Sequence, residues 1–374
     1  MRVFFSTGEA SGELLAADLV GALRARIAIE AEGIGDVRLE RAGVRIVQRN
    51  RGWASLGVFE AVRRLPRTFA GGLRVAWALR RDPPDLVVLV DFGAFNLRLA
   101  RILRTLGFTK PIVYYAPPSA WLDSAKSARA VATTCDPLTI FAHQAEFYRS
   151  LGLPIGYVGH PLVSTMNARE PRPAPPPDGG VVALLPGSRA GEIARHTPRL
   201  LDALARVREV RPNVRATLAA ADDAAHAHAE HLLSFRSPLP VEIVHGARAA
   251  LTEADAAVIA SGTAVLEAAL LETPAVALYV VSEAQAKIAR RVLRRKSPAL
   301  PYVTLPNLVT GSPVVPELLQ GAATPAALAD AVLALLANPQ GQRDGYARVR
   351  AALGPPDALQ RNADWILATV AQST

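Results

Sequence analysis

Apolar residues fall in two alternating patterns along this chain, short continuous runs and longer stretches at helical spacing. The first run, Val3-Phe4-Phe5, reads as a strand, and Leu14, Leu15, Leu19, Val20 and Leu23 follow it as one face of a helix. Asp85-Leu86-Val87-Val88-Leu89-Val90-Asp91 is the clearest strand, unbroken as a strand covered on both faces must be. Ile112-Val113-Tyr114-Tyr115-Ala116 repeats the pattern, and Pro154 to Pro161 closes the first half. Beyond a proline-dense stretch, the runs 181–183, 216–220, 241–244, 256–260 and 275–281 alternate with helical segments. Both halves are alternating βα units, which predicts an α/β fold with parallel sheets.

At 374 residues the chain exceeds the size of a single core, so two domains are expected. The pattern divides it into an N-terminal domain, 1–168, a linker, 169–180, stiffened by its prolines, and a C-terminal domain, 181–355. A last helix, within 356–374, is left to pack on its own N-terminal domain or on a partner's. Ala254 to Val281 is apolar but carries Glu267 and Glu272 and is broken by Gly262 and Pro274, which excludes a membrane span. The N-terminal apolar run is too short for a signal peptide. Cys135 stands alone, so neither a disulfide framework nor a cysteine zinc site is available. A net charge of +9 favours anionic partners without separating nucleic acid, phospholipid headgroups and sugar nucleotides.

Candidate chemistry lies where strands meet helices. Leu184-Leu185-Pro186-Gly187-Ser188-Arg189-Ala190-Gly191-Glu192 runs from a strand through a turn into a helix. Ser188 is placed to cap that helix, and Arg189 sits where its guanidinium and the first helical amides can converge on a phosphate. An ordinary capping turn with a solvated arginine fits the same nine residues. Ser261-Gly262-Thr263 follows another strand, with Glu267 one turn beyond Thr263 at a reach suited to ribose hydroxyls, so the two turns together describe a nucleotide site. In the first half, Asp91 ends a central strand, where a carboxylate faces the ligand crevice as a general base or serves as a cap. The glycines of Ser6 to Glu13 lack dinucleotide-fingerprint spacing; Glu9 and Ser11 are ligand contacts, or Ser11 is a helix cap. Trp53, Leu56, Val58 and Phe59 beside Arg63, Arg64 and Arg67 suit a membrane interface or a core-facing helix with a basic outer face.

Together these motifs resemble the lipid-A-disaccharide synthase family over nearly the whole chain: Gly8-Glu9-Ala10-Ser11-Gly12-Glu13, Ser55-Leu56-Gly57-Val58-Phe59-Glu60, Val158-Gly159-His160-Pro161, the Leu184 to Glu192 stretch, Ser261-Gly262-Thr263 with Glu267, Leu305-Pro306-Asn307 and Glu317-Leu318-Leu319-Gln320. The resemblance implies a GT-B fold, two Rossmann-like domains with parallel sheets facing an interdomain cleft. It implies an inverting transfer from UDP-2,3-diacylglucosamine to 2,3-diacylglucosamine 1-phosphate, giving the β-1,6-linked disaccharide and UDP. The donor residues are then Gly187, Ser188, Arg189, Glu192, Ser261, Gly262, Thr263, Glu267, Asn307 and Glu317; the catalytic ones are Asp91 and, as second candidate, Glu9; and Ser11, Asn96, Ser119 and His160 line the acceptor side or the cleft wall. No cofactor, metal or nucleic acid is expected, since an arginine and helix N-termini neutralise the leaving group and no Asp-x-Asp pair is placed for an ion.

Acylated substrates imply a cytoplasmic protein peripheral at the inner face of the membrane, with 53–67 and Lys287 to Lys296 as contacts and a homodimer among the expected partners. The chain departs from the family where Asp91-Phe92-Gly93-Ala94-Phe95-Asn96 lacks a second acid and where Trp121-Leu122-Asp123-Ser124 replaces a continuation in Ala-Trp-Arg. Glu13 also stands where the family has Asp. All three changes fall in the acceptor half. A UDP-sugar epimerase on the same scaffold, or a non-catalytic UDP-sugar or lipid-binding relative, are the competing readings.

Overall fold

Strands that are apolar on both faces need cover on both faces, and helices crossing over a parallel sheet supply it. The computed structural model describes residues 1–8, 10–50, 71–118, 123–170, 173–236, 240–283 and 302–373. They form two units, Met1–Thr165 with Leu353–Thr374, and Met166–Ala352.

In the first unit the chain runs β1 (Arg2–Ser6), α1 (Ala10–Arg24), β2 (Glu30–Gly35), α2 (Val37–Arg41), β3 (Arg45–Arg49), α3 (71–81) and β4 (Leu86–Val90). It continues through α4 (Gly93–Thr105), β5 (Ile112–Tyr115), α5 (Ala125–Ala132), β6 (Asp136–Thr139), α6 (Ala142–Ser150), β7 (Gly156–Tyr157) and α7 (Leu162–Thr165). Its seven strands are all parallel, in the order β3-β2-β1-β4-β5-β6-β7. From β1 the chain moves outward to β3, then returns to the other side of β1 and moves away in the opposite direction. Right-handed crossovers put the helices of the two directions on opposite faces, so the carboxyl ends of β1 and β4 share an uncovered crevice.

The second unit repeats this logic. It holds β8 (Gly179–Leu185), α8 (Ala190–Val210), β9 (Asn213–Ala220), α9 (Asp223–Arg236), β10 (Glu242–His245), α10 (Ala247–Glu253), β11 (Ala256–Ala260), α11 (Thr263–Leu270), β12 (Ala275–Tyr279), α12 (Leu305–Thr310), β13 (Glu317–Leu319), α13 (Pro325–Ala337) and α14 (Gln340–Leu353). The sheet order is β10-β9-β8-β11-β12-β13, again parallel, with its reversal between β8 and β11. Ser6 pairs with Leu89 in one sheet and Leu185 with Ile259 in the other, so each pair of turns leaves its sheet side by side.

The proline-dense stretch expected as a linker belongs to the second unit, which begins at Met166. Arg169 donates to the carbonyls of Thr252 and Ala254 at the end of α10, and Gly179 and Gly180 already pair in β8. Proline denies this segment a helix but does not prevent it from packing. At the other end the chain re-enters the first unit, where α15 (Ala358–Gln372) packs on α1 and α7 and buries Leu359, Ala363 and Ile366. Glu317 to Leu319, within the Glu317 to Gln320 motif, is the edge strand beside β12. Three residues are too few to show a period. No described helix is long and apolar enough to cross a membrane.

Candidate active site

In the first unit the crevice is built on a strained turn. Asp91 and Phe92 both adopt left-handed backbone, at φ 48° and 50°, which costs a non-glycine residue of order 1–3 kcal/mol each. Buried hydrogen bonds hold the turn. Asn96 Nδ2 donates to the Asp91 carbonyl at 2.9 Å and to that of Val90 at 3.1 Å, Tyr114 Oη donates to the Asp91 carbonyl at 2.9 Å, and Ser6 Oγ donates to Asn96 Oδ1 at 2.7 Å. The Phe92 ring lies on Gly8, where a Cβ would come within 2.1 Å of it, so no side chain fits there. A Cβ built on Gly12 would lie 3.8 Å from Asp91 Cβ, which sets the Asp91 side chain beside the first turn of α1.

Asn96 is fully buried and positions Asp91. Ser11 lies inside α1, which begins at Ala10, and does not cap it. Glu9 and Ser119 fall outside the described residues, as do Trp53, Leu56, Val58, Phe59, Arg63, Arg64, Arg67 and Lys287 to Lys296.

Beneath the Gly8 turn, Asn50 Nδ2 donates to Glu13 Oε1 at 2.9 Å and to the Thr7 carbonyl at 3.2 Å. Burial pushes the Glu13 carboxyl above its ordinary range, against the lowering effect of the Asn50 hydrogen bond. Sequence reading placed Glu13 at the end of the Gly8 to Glu13 motif, as a family departure, and not as a brace. The available signal was its place on the buried stripe of α1, three residues before Ala16 and seven before Val20.

In the second unit the turn after β8 is open. Gly187 takes φ +109°, and a Cβ there would meet Glu192 Oε2 at 2.5 Å, because the Glu192 side chain folds back over it. Arg189, not Ser188, is the N-cap of α8; Glu192 accepts from its backbone N–H and from its guanidinium, both at 3.4 Å. The Arg189 side chain is 44% exposed, and so long an ion pair at a surface is a weak hold that an incoming anion can displace. Next to it, Ser261 donates its N–H to the Leu278 carbonyl, exposed Gly262 is the N-cap of α11, and half-exposed Thr263 and Glu267 share one face of that helix.

Asn307 and Glu317 come together but turn toward each other. Glu317 Oε1 accepts from Thr304 N at 2.8 Å, Thr304 Oγ1 at 2.8 Å and Asn307 Nδ2 at 2.9 Å, while Asn307 also clasps both backbone groups of Val315. A carboxylate at the start of α12 satisfies first-turn donors, so the pair fastens α12 to β13. His196, which sequence reading missed, is fully buried on the inner stripe of α8. One ring nitrogen lies 2.7 Å from the Pro186 carbonyl and the other accepts from Val280 N–H at 3.3 Å, which ties the turn after β8 to the end of β12.

His160 is buried where the chain re-enters the first unit. Its N–H donates to the Leu353 carbonyl at 2.7 Å, its Nδ1 accepts from Leu162 N–H at 3.2 Å, and Phe141 covers its ring at 5.3 Å. Burial pushes its pKa from 6.5 down to about 3, so it stays neutral and holds a junction.

Each sheet thus reverses its strand order beside its first strand and carries its motif turns at that reversal, and two such Rossmann-like units define the GT-B class. Solved structures share the fold. The UDP-GlcNAc 2-epimerase from Neisseria meningitidis bound to UDP-GlcNAc matches with a TM-score of 0.64 at 11% identity, over 98% of this chain and 100% of that one. CalG4, the calicheamicin glycosyltransferase, matches with a TM-score of 0.57 at 16% identity, over 99% and 98%. In sequence, the lipid-A-disaccharide synthetase family matches residues 3–362. The lipid-A-disaccharide synthase of Pseudomonas aeruginosa (strain UCBPP-PA14) is 36% identical over 379 residues, 99% of this chain and 98% of that protein. That of Synechocystis sp. (strain ATCC 27184 / PCC 6803 / Kazusa) is 34% identical over 387 residues, 98% and 97%. The chain belongs to the lipid-A-disaccharide synthase family and is a glycosyltransferase.

Asn96→Ala strips buried acceptors of their donor and is expected to cost roughly 1–3 kcal/mol for each group left unpaired. Urea denaturation checks this, and a change below about 0.5 kcal/mol, the range of ordinary surface substitutions, contradicts the clasp. For His160 the unfolded chain takes up a proton below about pH 6.5 and the folded chain does not until about 3, so stability is lost as pH falls through that window. His160→Gln is expected to flatten the loss between pH 6 and pH 4 by up to about 1.4 kcal/mol per pH unit. An unchanged slope contradicts the neutral, buried assignment.

Proposed function

We propose that the chain transfers a diacylglucosamine unit from UDP-2,3-diacylglucosamine to 2,3-diacylglucosamine 1-phosphate, with inversion, forming the β-1,6-linked lipid A disaccharide 1-phosphate and UDP. The observation that carries this is the division of chemistry between the two crevices. One presents a carboxylate, Asp91, on a turn fastened from below; the other presents an exposed arginine and the amino ends of two helices, α8 and α11.

In the reaction, the acceptor's 6-hydroxyl oxygen attacks the anomeric carbon on the face opposite UDP. The bond from that carbon to the diphosphate oxygen breaks, its electron pair leaves with UDP, and the hydroxyl proton passes to Asp91. Arg189 and the amides at 190–191 and 262–263 stabilise the charge gathering on the diphosphate, an effect for which one well-placed donor is worth on the order of 10²–10³ in kcat. Thr263 and Glu267 reach the ribose or the transferred sugar, and Glu9 is kept as a second candidate base. Both substrates are acylated, so the protein works at a lipid surface as a peripheral protein. On α3, Trp77 is 56% exposed and Leu73 is exposed one turn before it, with Arg74 and Arg81 alongside; this carries forward the apolar and basic pattern of 53–67.

Incubation with both substrates should give disaccharide 1-phosphate and UDP in equal amounts by mass spectrometry. Asp91→Asn should lower turnover at least about a hundredfold, as loss of a general base does, while leaving UDP affinity unchanged by calorimetry. Free UDP without disaccharide, or an epimerised sugar nucleotide, would overturn the assignment, and full activity of Asp91→Asn would remove that residue from its role.

A further inference from the structure

The first unit contains a second concave feature beside the Asp91 turn. A cavity of about 290 Å³ lies directly below the strained Asp91 turn, with Leu97 and Val131 as apolar walls and Tyr114, Asp123, Ser127 and Tyr148 as polar lining. Tyr114 joins it to the turn, since its hydroxyl donates to the Asp91 carbonyl at 2.9 Å and keeps its lone pairs for an incoming donor. Asp123 is fixed in place: Oδ1 accepts from Ser124 N–H at 2.8 Å, and Oδ2 lies 3.4 Å from Gln144 Nε2, itself held by Thr139 Oγ1 at 2.6 Å. That leaves the carboxylate with acceptor capacity to spare.

Tyr148 is the independent sign of a ligand. It is fully buried, yet its hydroxyl makes no hydrogen bond of ordinary distance and angle among the described residues, with Asp123 as a longer-range hydrogen-bonding neighbour. Burial, with the neighbouring Asp123 charge, pushes its pKa up, so it remains an O–H donor at every working pH. An unpaired buried hydroxyl costs about 1–3 kcal/mol, and one lining a polar cavity is explained by a group that enters to pair with it.

The lining also selects the ligand. One carboxylate, one aliphatic hydroxyl and two phenols, with no cation among them, repel a phosphate and suit hydroxyl donors. A carboxylate is a poor neighbour for an acyl chain. The volume sits at the lower limit of small-molecule sites, enough for a single pyranose ring. We infer that this cavity is a subsite for the hydroxyl-bearing edge of a neutral sugar ring, recognised by Asp123, Ser127 and Tyr148. In the proposed reaction the ring is the acceptor's, and that assignment alone rests on the proposed function.

The test uses free N-acetylglucosamine as probe, followed by ligand-observed NMR on the full chain, with wild type, Asp123→Asn and Tyr148→Phe compared. Saturable binding is expected, weakened about tenfold or more by each substitution, as loss of a hydrogen bond to a charged or buried partner implies, and weaker for N-acetylglucosamine 6-phosphate. Tyr148→Phe removes a hydroxyl that makes no close hydrogen bond among the described residues, so its thermal midpoint should hold or rise while binding falls. A lower midpoint with unchanged binding would make the residue structural and overturn the inference, as would absence of saturable binding to wild type. In the transferase assay both variants should raise the acceptor KM and leave the donor KM alone. Disaccharide formation with sugar binding indifferent to both substitutions overturns the subsite and spares the reaction; loss of sugar binding in both variants without any disaccharide from wild type spares the subsite and overturns the reaction.

Discussion

The reversal of strand order beside β1, and again beside β8, is the constraint from which the chemistry of this molecule follows. Parallel strands cannot be joined by hairpins, and their crossovers keep one hand, so a chain that builds outward in both directions from its first strand places its helices on opposite faces. The two central strand ends then lack a covering helix, and whatever residues follow them face solvent or ligand. Thr7, Gly8, Asp91 and Phe92 occupy that place in one sheet, and Pro186 to Arg189 with Ser261 to Thr263 occupy it in the other.

The two crevices are finished differently. A proton acceptor has to be held within a fraction of an ångström of the reacting hydroxyl, and the turn that carries Asp91 is over-determined accordingly by Asn96, Tyr114, Ser6 and the packing of Phe92 on Gly8. Anion recognition by a guanidinium and helical amides tolerates more freedom. There, Ser188, Arg189 and Gly262 stand exposed, and rigidity is confined to the parts that set the turns' positions, the His196 tie and the Asn307–Glu317 clasp.

This difference also decides what could be seen in the sequence. Apolar runs such as Leu86 to Val90 and Ala256 to Ala260 announce buried parallel strands, and a Gly or Ser–Gly turn after such a run marks a crevice, so the α/β class and the loops of interest were legible. The edge strands β3 and β13, and β2 beside β3, were not, since their glycines, charges and shortness give no continuous run. Polar residues were legible as belonging to a site but not as to which way they face. Asn96, Asn307 and Glu317 sit in motifs and turn inward to backbone partners. Glu13 and His196 sit on apolar stripes and turn out to brace the turns. Only tertiary partners tell these cases apart, because spacing records the face of a helix and not what lies against it.

Hydrogen exchange on the full chain with and without UDP tests the division of labour most directly. The amides of 188–192 and 261–266 should slow on addition of UDP, while those of 7–13 and 91–96 keep their rates. Slowing confined to 91–96, or no change at 188–192, would contradict the assignment of the diphosphate to the second unit.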